Sequence, residues 1–295
     1  MSLRDLFSKR LTGWLNFKLR RQKEYKIEVL DHAIQRLIDA QVDLVIVSGD
    51  LSNLSFRQEY ERAKRHLSAL SDAGIPWLVI PGNHDRYLAT SDDGALEEIF
   101  AEHLGEPLRE GCAYPWFHAL EGASIVGLNS ALPTPPFQAW GRVGEPQLDA
   151  VRASAARIRE RGFPVVLVVH HHVGRAPNKK KDHERNLKDS DAVLALAHEL
   201  QASLLIHGHN HWLDVRDIQG LRAFAASSGI SSQAGVHRSA GQVAIHRFDA
   251  EGQVHHDVAF WQGDAFSAWM PIDPSTPIPS PQALHADRTE AIPPL

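Results

Sequence analysis

The 295-residue sequence holds a single cysteine, Cys112, which excludes an intrachain disulfide and a thiolate metal cluster and suits a reducing compartment. It has no run near the roughly 18 apolar residues of a membrane span, and no signal-peptide pattern follows Met1. The cytoplasm is the expectation. It also lacks a basic excess: the formal net charge of -5 argues against general nucleic-acid binding, which leaves a basic footprint. With 43% hydrophobic and 23% charged residues, the chain falls outside disordered, collagenous and disulfide-rich compositions and can bury a sizeable core.

What is abundant is histidine, 18 residues, so their position along the chain matters more than their number. Residues 1–24 mix Leu3, Leu6, Phe7, Leu11, Trp14, Leu15 and Phe17 with seven Lys or Arg, a basic amphipathic helical pattern. Three readings suit it: a helix packed on the domain, a lid, or a weak membrane-surface contact. From Ile27 to Ile38 apolar residues recur at spacings of three and four, and then the period changes. Asp43 to Ser48 is a short continuous apolar run rich in β-branched residues, the pattern of a strand buried on both faces. The alternation repeats: a helix over about 56–73, a strand over 77–80, a helix over 92–103, strands over 114–119 and 123–128, a helix near 146–160, a strand over 165–169. Ser190 or Asp191 can cap a helix reaching Leu200, and a strand follows over 203–206. From 213 onward only strands are expected, forming a second sheet, and 263–295 read as a flexible Pro-rich tail. No repeat or linker divides residues 25–262, so a single α/β domain is expected.

Each polar cluster follows an apolar strand: Gly49-Asp50, Gly82-Asn83-His84-Asp85, His170-His171-His172, and Gly208-His209-Asn210-His211. Open α/β sheets gather ligands outside the carboxyl ends of their strands, so these loops should converge. Carboxylate, amide oxygen and imidazole suit divalent Mn, Fe, Zn or Co, whereas an all-oxygen set would suit Mg or Ca.

In this order and spelling, from about residue 25 to 260 and with Gly127-Leu128-Asn129 after a strand, the motifs resemble the calcineurin-like metallophosphoesterases. The resemblance implies a four-layer α/β/β/α sandwich with two mixed sheets and two divalent transition metal ions, Mn favoured. It makes Asp50 the bridging carboxylate, joined by Asn83, His170 and His209 at one metal and by His211 at the other. His170 is taken because the family's ligand is the first histidine after the strand; spacing alone leaves His171 and His172 open. His84 would lie outside the metal shell and stabilise or protonate the leaving oxygen, with Asp85 orienting its ring. The implied reaction is hydrolysis of a phosphodiester, phosphomonoester or pyrophosphate of a small molecule by a hydroxide held between metals about 3.5–4 Å apart. Substrate selectivity would lie in loops 86–95, 131–144 and 173–189, and His207, His237, His255 and His256 are expected to be structural or surface residues.

The chain departs from the family at its start. Members begin with an apolar strand ending in D-x-H, which completes the metal site of His211; here Asp31-His32 lacks the spacer and sits in a helical pattern. One metal is therefore expected to bind well, the other weakly. The omission would also leave a gap in the sheet. A start placed too far downstream, with the strand lying ahead of Met1, is favoured over the alternative, a catalytically impaired metal-binding or interaction module.

Overall fold

A computed structural model describes residues 27–87, 94–174, 184–211, 213–218, 220–225 and 241–272. The N-terminal basic segment, His237 and parts of two of the three expected selectivity loops, 86–95 and 173–189, lie outside these residues. At the centre is β6 (Val165–Val169), a run without a polar side chain that is buried on both faces. Val165, Leu167 and Val169 pack with Leu148, Val151, Ile158, Val193 and Leu196 from α4 (Glu145–Ala153), α5 (Ala155–Arg159) and α6 (Ser190–Glu199). Val166 and Val168 face the opposite way, towards Val258 and Phe260 of β11 (Val254–Phe260). The alternation of side chains along the strand thus splits one apolar run between two cores.

Around β6 runs a mixed seven-stranded sheet. β3 (Glu106–Pro107) and β4 (Trp116–Leu120) are antiparallel additions to β5 (Ala123–Leu128), which pairs in parallel with β6. On the other side β7 (Leu204–His207) is parallel to β6, followed in space by β9 (Leu221–Ala225) and then β8 (Asp214–Ile218). The strands at 214–225 therefore extend the first sheet, correcting the expectation that everything after 213 builds a second one. Only β10 (Gln242–Phe248), β11 and β12 (Met270–Pro271) form a separate antiparallel sheet. The tail boundary also moves: β12 pairs with β11, so ordered chain extends past 263, and 273–295 lie outside the described residues.

The outer layer comprises α1 (Ile27–Asp39), α2 (Arg57–Asp72) and α3 (Ala95–Ile99). These helices cover β1 (Val45–Val47) and β2 (Trp77–Val79), a parallel pair, through Ile34, Leu67, Leu70, Leu96 and Phe100. Helix, sheet, sheet, helix is the four-layer order expected, but the second β layer is in two pieces. No strand joins β1–β2 to β10–β12 among the described residues. Between them lies a groove of about 840 Å³. The helix expected over 146–160 breaks at Ser154, and the one expected to 103 ends at Ile99 with a short 3-10 turn, Ala101–His103. Ser190 opens α6 with Asp189 at the cap position; the Asp189 carboxylate instead accepts from the Val143 and Gly144 amides at 3.1 and 2.7 Å.

Candidate metal centre

β1, β2, β6 and β7 each end in the expected polar cluster, and the first three clusters touch because two residues are glycine. A Cβ on Gly49 would stand 2.5 Å from the Gly82 nitrogen and 2.6 Å from His170 Nδ1, and one on Gly82 would stand 2.2 Å from Asp50 Oδ1. Neither position has room for a side chain. Asp50, His209 and His211 all adopt left-handed backbone (φ 62°, 70° and 60°), a region that costs non-glycine residues energy and recurs where a site over-determines the chain.

Asn83 is the hub. Its Oδ1 lies 2.8 Å from His209 Nδ1 and 3.2 Å from His170 Nε2, while Asp50 Oδ1 lies 3.5 Å from the same His170 nitrogen. His170 Nδ1 is 2.7 Å from the Ser48 carbonyl oxygen. A carbonyl only accepts, so Nδ1 carries a proton and Nε2 is the ring atom aimed at the two oxygens. An imidazole nitrogen beside an amide and a carboxylate oxygen is a donor set that fits a divalent transition metal. Among the described residues no group of three or more His, Cys, Asp or Glu side chains is arranged to hold a metal ion.

The carboxylates divide their work by environment. Burial would raise the Asp50 pKa, but the neighbouring His170 and His84 charges, the His84 amide at 3.0 Å and His211 outweigh it and hold the carboxyl at about 2. It stays an anion. Asp85 is fully buried and accepts from the amides of Gly82 (2.8 Å), Ser52 (2.9 Å) and Leu51 (3.1 Å) and from Ser52 Oγ (2.8 Å). The expectation that Asp85 orients the His84 ring is therefore corrected: Asp85 staples the loop after β1 to the loop after β2, and His84 Nδ1 donates to the Asn53 carbonyl at 2.9 Å. The Asn53 loop is fixed in turn by Glu59, whose carboxylate accepts from the amides of Asn53, Leu54 and Phe56.

Of the adjacent histidines, His170 is the one placed against Asn83 and Asp50. His171 Nδ1 lies 2.7 Å from Ser130 Oγ, and the His172 ring stacks over that of His209 at 6.3 Å. His209 is buried, and desolvation followed by the charges of His171 and His170 pushes its pKa well down, keeping the ring neutral. His207 is buried 3.9 Å from Asp214, His256 is buried in the sheet, and His255 is exposed beside Asp249. Sequence reasoning missed the Ser48 and Asn53 carbonyls, which bear no side-chain signal, and Ser130, whose place at the end of a strand beside Asn129 could have suggested it.

A family model for the calcineurin-like phosphoesterases matches residues 23–213. A probable cyclic nucleotide phosphodiesterase of Synechococcus is 29% identical over 194 residues, which cover 65% of this chain and 66% of that protein. One of Psychrobacter arcticus is 24% identical over 217 residues, 70% of this chain and 69% of that protein. The chain thus spans about two thirds of the length of these relatives. In fold it is similar to a dimetal phosphatase from Danio rerio, with a TM-score of 0.51 at 14% identity, covering 79% of this chain and 82% of that one. The match of the family model over most of the chain, together with this fold, means that the chain belongs to the calcineurin-like phosphoesterase family.

Proposed function

We propose that the chain is a metal-dependent hydrolase of small phosphorylated molecules, with phosphodiesters of the cyclic nucleotide class as its substrates. The observation that carries this is the convergence of Asp50, Asn83, His170 and His209 from four strand ends around one position. The named activity of the Synechococcus and Psychrobacter relatives supports the substrate class. These four side chains would hold one cation, with Mn²⁺ the favoured ion, and Asp50 with His211 would hold a second. Bound there, the cations supply positive charge to phosphoryl oxygens and the acidity that makes water a nucleophile near neutral pH.

The chain's own groups do the rest. Glycines 49 and 82 leave backbone where side chains would block the approach of the two loops. His84 is half-buried, and its Nδ1–H is committed to the Asn53 carbonyl, so in the imidazolium form Nε2–H is the second ring donor. It acts as the acid towards the leaving oxygen, a role that contributes about 10²–10⁴-fold to such reactions. Among the described residues β1 has β2 as its one strand neighbour, which favours a second reading, in which one cation binds tightly and turnover is impaired because only Asp50 and His211 are assigned to the other.

Calorimetric Mn²⁺ titration of the 295-residue chain, with bis-p-nitrophenyl phosphate turnover in parallel, tests this. One tight equivalent is expected, abolished in Asp50→Ala and weakened in Asn83→Ala and His170→Ala. His84→Ala should keep its metal and lose kcat. Tight binding that survives Asn83→Ala and His170→Ala together would sink the proposed centre.

A further inference from the structure

We propose that Glu59, on α2 and outside the cluster of candidate ligands, is a positioning residue that sets the direction and tautomer of the His84 ring by shaping the turn over residues 51–56. Each amide of this turn donates to a side chain. Those of Leu51 and Ser52 go to Asp85 at 3.1 and 2.9 Å, that of Ser55 to Ser52 Oγ at 3.2 Å, and those of Asn53, Leu54 and Phe56 to Glu59 at 3.2, 3.0 and 3.0 Å. A segment whose donors are met by side chains rather than by a helix or a ladder takes the form those side chains impose. Ser55 shows the cost, since it is held in left-handed backbone at φ 57°.

The two carboxylates serve opposite ends of the turn. Asp85 holds the residues next to Asp50. Glu59 holds the part that grips His84: the Asn53 carbonyl accepts from His84 Nδ1 at 2.9 Å, and Ser52 Oγ and Ser55 Oγ donate to the His84 carbonyl at 3.2 and 2.8 Å. Ring and main chain of His84 are thus held by the same turn. A glutamate at the third position of a helix ordinarily accepts from the cap residue alone, and here that bond is the one from Phe56. The bonds from Asn53 and Leu54 exceed what the helix needs, and Asn53 is the residue whose carbonyl meets the ring. A carbonyl there requires Nδ1–H, which leaves Nε2 to face the reaction. If the turn relaxes, the carbonyl moves off and both tautomers become accessible. Resting on the reading of His84 as the acid, this makes Glu59 necessary to kcat and not to metal binding, because its partners are three amides of the turn and none of them belongs to a candidate ligand.

Glu59→Gln is the test variant, since glutamine keeps the helix cap but offers one carbonyl oxygen where the carboxylate presents two. With Mn²⁺ and bis-p-nitrophenyl phosphate it should lower kcat about tenfold, a part of the roughly 10²–10⁴-fold that a positioned acid contributes, while KM and Mn²⁺ affinity stay within about twofold of the parent chain. In the double variant with His84→Ala the losses should not multiply: kcat should equal that of His84→Ala alone, because a residue acting through another adds nothing once that other is gone. Multiplied losses, or an unchanged kcat in Glu59→Gln where His84→Ala loses turnover, overturn the proposal. The ring is also read without turnover, by ¹⁵N spectra of the histidine side chains in the metal-free chain at about pH 9, where imidazoles are neutral. The parent chain should show His84 in the Nδ1–H form and Glu59→Gln a mixture of the two forms; the same signal in both overturns the proposal whatever the kinetics. Turnover undiminished in His84→Ala would sink the catalytic reading of His84 instead, and the spectra alone then decide what Glu59 does to the ring.

Discussion

β6 and the run that contains β1 are nearly the same kind of sequence, and the protein treats them differently. Val165–Val169 and Leu44–Val47 are both uninterrupted apolar stretches, and each delivers a polar cluster at its carboxyl end. β6 has β5 on one edge and β7 on the other, and all five side chains are buried. Among the described residues β1 has β2 alone, and only Val45 of its three residues is buried. Apolar residues on both faces suit a strand enclosed by layers and neighbours, so composition here measures the environment a strand is built for rather than the one it has. The difference locates the weak flank of the candidate centre: His170 stands on the enclosed strand, Asp50 on the half-clad one.

The largest expected effect breaks that comparison outright if it fails. Leu167→Ala removes a side chain with no exposed surface from the middle of β6 and should cost about 3–4 kcal/mol in urea unfolding. Ile46→Ala, at a half-buried position on β1, should cost about 1–2 kcal/mol, because less apolar area returns to water. Equal losses would mean that β1 is as enclosed as β6.

The next effect concerns how each strand end is held. The loop after β1 is pinned from the β2 side, by Asp85 accepting from Gly82, Leu51 and Ser52. Removing that carboxylate in Asp85→Ala orphans buried donors, which should lower stability by about 2–3 kcal/mol and loosen Asp50 with it. The end of β6 is tied to its neighbour through Ser130 and His171. Ser130→Ala should cost about 1 kcal/mol, the ordinary net worth of one such bond, because β5 and β7 still hold the strand. Chemical denaturation of both variants, with Mn²⁺ titration alongside, measures the contrast; a larger loss in Ser130→Ala would reverse it.

How far all this was legible in the sequence follows from the same physics. Strands with continuous apolar runs and a polar stop were found within a residue or two, because burial on both faces leaves a strong signal. Asp50, Asn83, His170 and His209 were legible as polar residues at strand ends, and the structure brings Asn83 and Asp50 against His170 and Asn83 against His209. The fate of the strands after 213 was not legible, since alternation along β8, β9 and β10 states which faces are buried and not which edge each strand joins. The task of Asp85 was misread for a related reason. A carboxylate next to His84 in sequence looks like its partner, yet Asp85, in the 3-10 turn Asn83–Arg86, is taken up by the amides of Gly82, Leu51 and Ser52 and by the Ser52 hydroxyl.

The smallest effect tests the far wall of the groove. On β10 and β11, His246 and His256 face each other across the pair, with their Nδ1 atoms 2.9 Å apart. Burial, then the charge of His256, lowers the His246 pKa to about 3; burial, then the charge of Arg222, lowers that of His256 to about 4. Both stand below the ordinary 6.5, so the unfolded chain takes up these protons first. Stability from the pair is therefore complete above about pH 6.5 and declines as the pH falls towards 4 and then 3. The melting temperature should fall across that window, and His246→Leu, which removes one of the two groups, should flatten the decline while leaving the value above pH 7 little changed. A decline that stays as steep in His246→Leu would mean that this pair does not carry it.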